Sequence, residues 1–369
     1  YPFLIDRSPN ACSTSASEDR IRNSLSSTVR CGSCRCRDIS RTLAPNFSAM
    51  SPALEKYVRL FGKLRTDKNS QRWTDQTYFR APHKPLLLLA VIDRFADGEL
   101  TQNFIQPTPE LAQDFLIYWK RVMPPSAAAS YVLPFFHLQG DGFWHLRAVE
   151  GKADTLSATK QMKYASQLVG MVQGATLDAD LYDVLCTAEG RAVLSQVLID
   201  TYFVEALRPL VREQSEINTQ ARTYCRQLLA HDTSHGPTLP RAARKQGFRR
   251  AVVWAYERRC AFCGIRLITP DGRVVVDAAH IIPWKVTHND DPQNGLALCK
   301  LCHWTFDEGL VTVTSAYFLK GSEQLRFQPN LPAQIISLTD RLILKPDNPS
   351  YWPDADAFAW HREHRFLKP

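Results

Sequence analysis

The sequence has no apolar run long enough to cross a bilayer. Its longest, residues 85–92, spans eight positions, against the roughly 20 that a membrane-spanning helix needs. It also lacks the basic, apolar and small-residue succession of a secretory signal, so a cytoplasmic protein is the expectation. Without that signal a disulfide framework is the weaker reading of its 10 cysteines, and metal ligation the stronger. No internal repeat is visible. Charge of neither sign dominates: 45 basic residues stand against 37 acidic ones, a net +8. The excess is uneven, at 7 against 4 in residues 1–49, 20 against 20 in 50–240 and 18 against 13 in 241–369. Any field that attracts phosphates is therefore strongest outside the middle of the chain. What remains is an ordinary globular composition, 44% hydrophobic and 22% charged, in a chain of 369 residues, long enough for two or three domains with cores.

Residues 1–49 are rich in Ser and Arg and carry neither helical nor strand periodicity. They read as unstructured. The chain opens on Tyr1, whereas Met50 directly precedes a clean helical pattern, so natural translation is expected to start at Met50. Cys31, Cys34 and Cys36, with Cys12 farther off, find no partner pair nearby to complete a metal site. Residues 50–229 read as one mainly helical domain. Leu54, Tyr57, Leu60, Phe61 and Leu64 follow helix spacing, and a core helix should start near Pro85 and run to Phe95. Thr108 and Pro109 cap and open a third helix. Residues 131–147, with apolar stretches on both sides of Gly140-Asp141-Gly142, read as a hairpin. Further helices are expected over 178–188 and 190–207. The polar stretch 230–240 reads as a linker, 241–325 as a second domain and 326–369 as a C-terminal extension. Cys186 and Cys225 stand alone and read as buried thiols.

Cys260-x-x-Cys263 and Cys299-x-x-Cys302 supply four thiolates, which suits a closed tetrahedral Zn2+ with a structural role. Between and just beyond them the chain reads VVVDAAHIIPW and then NGLALCKLCHWTFDEG. The first piece is a strand, 273–277, entered through Pro270-Asp271-Gly272, with His280 at its far end. The second turns at Asn294-Gly295 into a short helix where His303 and Asp307, four apart, share one face. Phosphodiester hydrolysis needs an activated water and charge neutralisation at phosphorus. His280 suits the general base. His303 and Asp307 suit a divalent ion, Mg2+ or Mn2+. Asn294 is placed to hold the loop and orient His280, and Asp277 is a candidate third carboxylate for the ion. His288 reads as part of a solvated loop with Asn289, Asp290 and Asp291, and His361 and His364 as exposed tail residues.

These pieces resemble the HNH nuclease family over residues 245–320, nearest its restriction-endonuclease branch. The resemblance implies a ββα-metal fold, with His280 as general base, Asn294 as the central asparagine, and His303 and Asp307 as metal ligands. Many members carry Asp or His directly before the base; this chain has Ala279. The expected fold class is thus multidomain, a mainly α front domain with a β-hairpin element followed by a small α+β ββα-metal domain.

In front, Arg80, His83 and Lys84 precede a rigid helix whose N-terminus would favour phosphate. Leu133, Pro134, Phe135, Phe136 and His137 form an apolar stretch suited to wall such a site. Together they resemble, over residues 55–210, the sulfur-binding domain of modification-dependent restriction enzymes, which recognises phosphorothioated DNA. That resemblance implies a basic role for Arg80, His83 and Lys84, and a cavity role for Pro134 with Phe135 and His137; Leu133 stands where an aromatic residue is expected. Lys152, Lys160 and Lys163 are candidate backbone contacts. The function so read is a DNA endonuclease of restriction type acting on double-stranded, phosphorothioated DNA, with a homodimer expected for cutting both strands. Two other readings remain: an HNH nuclease that reads ordinary sequence, and a non-catalytic zinc-containing DNA-binding protein.

Overall fold

The computed structural model describes residues 50–232, 238–269, 272–327 and 333–368. The expectations for residues 1–49, for most of the linker's centre and for Pro270-Asp271 lie outside the described residues. Among the described residues no helix is long and apolar enough to cross a membrane.

The front region is helical where the periodicity requires it. Helix α1 (Pro52–Phe61) starts where the Ser51 hydroxyl accepts the Leu54 N–H at 3.2 Å, and it buries Leu54, Tyr57 and Phe61. Helix α2 (His83–Ala96) begins two residues before Pro85 and is buried from Lys84 to Phe95. Helix α3 (Pro109–Val122) is capped by Thr108, as its sequence predicts. The stretch 131–147 differs from expectation. Residues there form helix α4 (Val132–His137) and a 3-10 turn, and only then strand β1 (Trp144–Ala148). Four consecutive buried or half-buried apolar residues, Leu133 to Phe136, need cover on more than one side, which a helix provides and a two-faced hairpin strand does not. The β element is instead an antiparallel pair of β1 with β2 (Val172–Leu177), separated in sequence by α5 (Ala153–Ala158) and α6 (Ala165–Met171). Helices α7 (Ala179–Cys186) and α8 (Ala188–Tyr202) follow. Cys186, read as buried, is exposed at the last residue of α7; Cys225 is half-buried.

Helix α9 (Arg208–Leu229) joins the two cores. Its Val211 belongs to the front core, and Tyr224 and Leu228 belong to the back one. Helix α10 (Arg241–Ala255) packs along it, and Gly247 makes that approach possible: a Cβ there would meet the Ala221 carbonyl oxygen at 2.8 Å. Between α2, α3, α9 and α10 runs a buried polar seam. Asp93 accepts hydrogen bonds from Tyr118 (2.7 Å), Ser215 (2.6 Å) and Asn218 (2.9 Å). Asp114 accepts from Arg94 (3.0 Å), Arg222 (2.8 Å) and Arg250. Burial alone would raise the Asp114 pKa, but the three guanidiniums outweigh it and hold it well below the usual carboxylate range.

The back region has strand β3 (Val276–His280), α11 (Trp284–Thr287), strand β4 (Gly295–Cys299) and helix α12 (Lys300–Asp307). The strand begins three residues later than its sequence suggests, because its ladder is set by pairing: Val276 faces Cys299 and His280 faces Gly295. Strands β5 (Val311–Val313) and β6 (Leu319–Gly321), with α13 (Ala333–Ile336) and α14 (Ala355–His364), complete it. Phe358 of α14 is wholly buried in this core. His361, read as an exposed tail residue, is buried as well. Its ring stacks on Phe306 (3.9 Å, 5°) and bonds to the Thr312 hydroxyl and the Phe306 carbonyl. The tail is amphipathic, with Ala357, Phe358 and His361 turned inward at helical spacing.

Candidate active site and nucleic-acid interface

Two structural devices bring the nuclease residues together. The first is the cluster of Cys260, Cys263, Cys299 and Cys302, whose sulfur atoms all lie within 4.8 Å of one another. One pair sits in a turn after α10, the other spans the end of β4 and the start of α12. That geometry can chelate one metal ion and fixes strand and helix relative to the preceding turn. The second is the antiparallel ladder, which ends at His280 and Gly295. A Cβ at Gly295 would meet Val252 at 2.5 Å, so only glycine lets α10 pack this closely beneath the turn.

Asn294 is buried and spends its amide on the loop. It accepts the Ile282 N–H at 2.8 Å and donates to the carbonyls of Ile282 and Asn289, each at 3.0 Å. The expected loop-holding role is visible in this geometry; the hydrogen bond that orients the His280 ring comes from elsewhere. His280 lies flat on Phe248 (3.8 Å, 9°), and its Nε2 is 2.7 Å from Asp290. Asp290, read as part of a solvated loop, is buried at 3% exposure. Arg244 donates to both of its oxygens, at 2.9 and 2.7 Å, and the Tyr224 hydroxyl donates at 3.1 Å. Arg244 in turn covers Trp284 at 3.8 Å. Sequence reasoning missed Asp290, Arg244 and Tyr224. Asp291 caps the Pro292–Asn294 turn by accepting the Gln293 N–H, and nothing in the sequence marks Asp290 apart from it.

His303 and Asp307 share one face of α12, with Nε2 and a carboxylate oxygen 3.3 Å apart and Asp307 still open to solvent. Desolvation raises the Asp307 pKa, while the charges of His303, Arg365 and His280 work against it. Asp277 is elsewhere. It sits three residues before His280 on the strand, hence on the opposite face, is 61% exposed, and pairs with Arg249 at 2.7 Å. Among the described residues the cysteine cluster is the one group of three or more such side chains close enough to hold an ion. Asp277 is thus not brought to His303 and Asp307, and the space beside Ala279, itself buried, is not filled by it. His288 is exposed, as expected.

The front candidates are more dispersed in character. Arg80 is half-buried and follows Tyr78 and Phe79, which are exposed and have positive φ of 49° and 56°. His83 is enclosed by Trp73 (5.3 Å), Trp119 (4.5 Å) and Phe115 (6.3 Å). Burial pushes its pKa down to about 4, so at neutral pH it is uncharged rather than the cation its sequence position suggested. Lys84 is buried and bonds Asp141 at 2.5 Å. Its charge thus already has a protein partner. Pro134 and Phe135 are buried, Phe135 edge-on to Trp144 (5.1 Å, 88°), and Leu133 is half-buried. His137 is exposed; partial burial and the nearby Lys84 charge lower its pKa. Lys152, Lys160 and Lys163 are exposed.

These two sites coincide with two family matches. Residues 260–314 match the HNH endonuclease family, and residues 55–214 match the family described as ScoMcrA-like, DNA sulfur-binding domain. The chain thus carries an HNH endonuclease domain over residues 260–314, behind a DNA sulfur-binding domain over residues 55–214. The arrangement agrees with the expected fold class, a mainly helical front region with a β element and a small α+β region behind it. Among solved structures, a modification dependent TagI restriction endonuclease is similar at 22% identity, over 33% of this chain and 38% of that chain, with a TM-score of 0.26. No curated protein matches the chain.

Proposed function

We propose that the protein is a metal-dependent DNA endonuclease that hydrolyses phosphodiester bonds in duplexes carrying phosphorothioate linkages. The observation that carries the nuclease half is a His280 ring held by Asp290 at the end of a ββ ladder, with the His303–Asp307 pair on helix α12, which packs against that ladder. The modification half rests on the sulfur-binding match in front of it. Sulfur in place of a non-bridging oxygen is larger and less well hydrated, so a site walled by Pro134 and its apolar neighbours, next to an uncharged His83, favours it over oxygen.

Zn2+ suits the four thiolates in a structural role. His303 and Asp307 would hold the catalytic ion, Mg2+ or Mn2+, their mixed nitrogen and oxygen donors being compatible with either. When bound, that ion neutralises charge at the scissile phosphate. Asp277, on the opposite strand face and paired with Arg249, has no part in this scheme. His280 takes a proton from the attacking water as the new P–O bond forms. The bond to the leaving oxygen breaks, and solvent protonates it. Asn294 keeps the 281–294 loop in place throughout. In front, Arg80 supplies a backbone contact, with His137 and Lys84 beside it. Cutting both strands calls for two nuclease centres, hence a dimer on DNA.

The test compares plasmid nicking with Mg2+ or Mn2+ on DNA with and without phosphorothioate, using wild type and His280→Ala. Wild type should cut the modified plasmid faster, and His280→Ala should lose about a thousandfold or more of the rate. Equal cutting by both proteins removes His280 from the chemistry. Equal cutting of both plasmids replaces sulfur sensing with sequence reading, and no cutting under any condition leaves a DNA-binding protein.

A further inference from the structure

We propose that Asp290 is the positioning residue of the general base: it fixes the proton of His280 on Nε2, so that Nδ1 presents a lone pair to the attacking water. The inference rests on His280 being the base, and adds how that base is kept in its working form.

A neutral imidazole has one proton and two nitrogens, and only the bare nitrogen can accept a proton. The neighbour of the other nitrogen chooses between the two tautomers. Here that neighbour is a carboxylate oxygen 2.7 Å from Nε2, and a carboxylate accepts hydrogen bonds without giving one. Nε2 is therefore the protonated atom. Asp290 has no freedom to turn away. Arg244 binds both its oxygens and Tyr224 adds a third donor, and the group is 3% exposed. The imidazole plane is set independently by its stack on Phe248, with the rings 9° from parallel. Two contacts thus fix two different degrees of freedom, the ring plane by Phe248 and the rotation and tautomer by Asp290. The same carboxylate stabilises the imidazolium that forms once the proton has moved.

The arrangement also explains the order of the loop. Asp290 must sit opposite the end of β3, which requires the 281–294 segment to close, and Asn294 closes it through Ile282 and Asn289. Asn294 thereby reaches His280 indirectly, by holding Asp290 in register.

The first measurement uses the wild-type full-length protein. Selective 15N labelling of histidine, with His280 assigned by comparison with His280→Ala, should show neutral His280 carrying its proton on Nε2. A neutral ring protonated on Nδ1 overturns the proposal, whatever the enzyme's activity. The second compares Asp290→Asn and Asp290→Glu in cleavage. Asparagine offers an N–H to Nε2 and so favours the wrong tautomer; kcat should fall by about 10²–10⁴-fold, with KM and DNA affinity unchanged and the 15N signature moved to Nδ1. Glutamate should recover part of kcat. If Asp290→Asn folds and cuts at the wild-type rate, while His280→Ala is inactive, the base stands and the positioning role falls. If His280→Ala is active, it is the underlying assignment that fails.

Discussion

The two regions treat their polar side chains in opposite ways. In the nuclease region buried polar groups gather behind one imidazole ring: Asp290, Arg244 and Tyr224 are hidden, while His280, His303 and Asp307 keep a share of their surface in solvent. In the front region half of the candidate binding residues, Lys84, Pro134 and Phe135, are themselves buried. Lys84 is paired with Asp141 and the half-buried His83 is discharged by its aromatic surroundings, so Arg80 and His137 are the candidate cations left to face solvent. A phosphate-cutting centre needs charge that faces outward. A site that prefers sulfur gains from having less of it, because weak hydration of the ligand is then the distinguishing property.

The sharpest way to separate the regions is to remove the metal cage. The back core is small and draws together short strands and the α12 helix, whereas the front core has the long buried α2 at its centre. Replacing Cys260 and Cys299 by serine should abolish the bound metal, expected at about one zinc per chain, and with it all cleavage. Front helices should keep their hydrogen-exchange protection. Continued cooperative folding of residues 260–314 without metal breaks the comparison, since the back core would then stand alone.

A smaller effect is expected where the regions are tied. Arg250 of α10 reaches the carboxylate of Asp114 on α3, alongside Arg94 and Arg222. Asp114→Asn leaves three buried guanidiniums short of a counter-charge, which should cost about 3–5 kcal/mol in a urea titration. A loss below about 1 kcal/mol would mean that water or Asp97 already carries those charges, and that the seam does not couple the two cores.

Sequence reading reached the His303–Asp307 pair and the cysteine cluster because both depend on residue type at fixed local spacing. His303 and Asp307 lie one helical turn apart, and the paired cysteines declare themselves. Asp290 was illegible for the opposite reason. Its role comes from Arg244 and Tyr224, 46 and 66 positions away, and nothing local separates it from Asp291. In the front region the helix start at Thr108 was plain from its cap, yet the run of apolar residues around Pro134 fitted helix and strand alike. The seam of Asp93 and Asp114 was hidden too, since an acidic residue on a helix ordinarily faces water.

The finest comparison is between two histidines held against aromatic rings, the half-buried His83 in front and the buried His361 behind. His83 and His361 both sit among aromatic rings, and burial lowers each pKa from 6.5 to about 4. A histidine whose folded pKa is depressed contributes its full share of stability above pH 6.5, and loses it as the pH falls toward 4, because the unfolded chain takes up the proton first. For His83 that share is about 3 kcal/mol. In the back region acid would also protonate the cysteine thiolates and release a metal held by them, so its stability should fall more steeply over the same window. His83→Phe, which keeps an aromatic ring between Trp73 and Trp119, should flatten the decline of the front helices between pH 6.5 and 4. The readout is hydrogen exchange in α2 and α3, corrected for the intrinsic pH dependence of exchange, and the back region should be unaltered. An unchanged slope in the front would show that His83 accepts a proton in place, which would return it to the cations available to a DNA backbone.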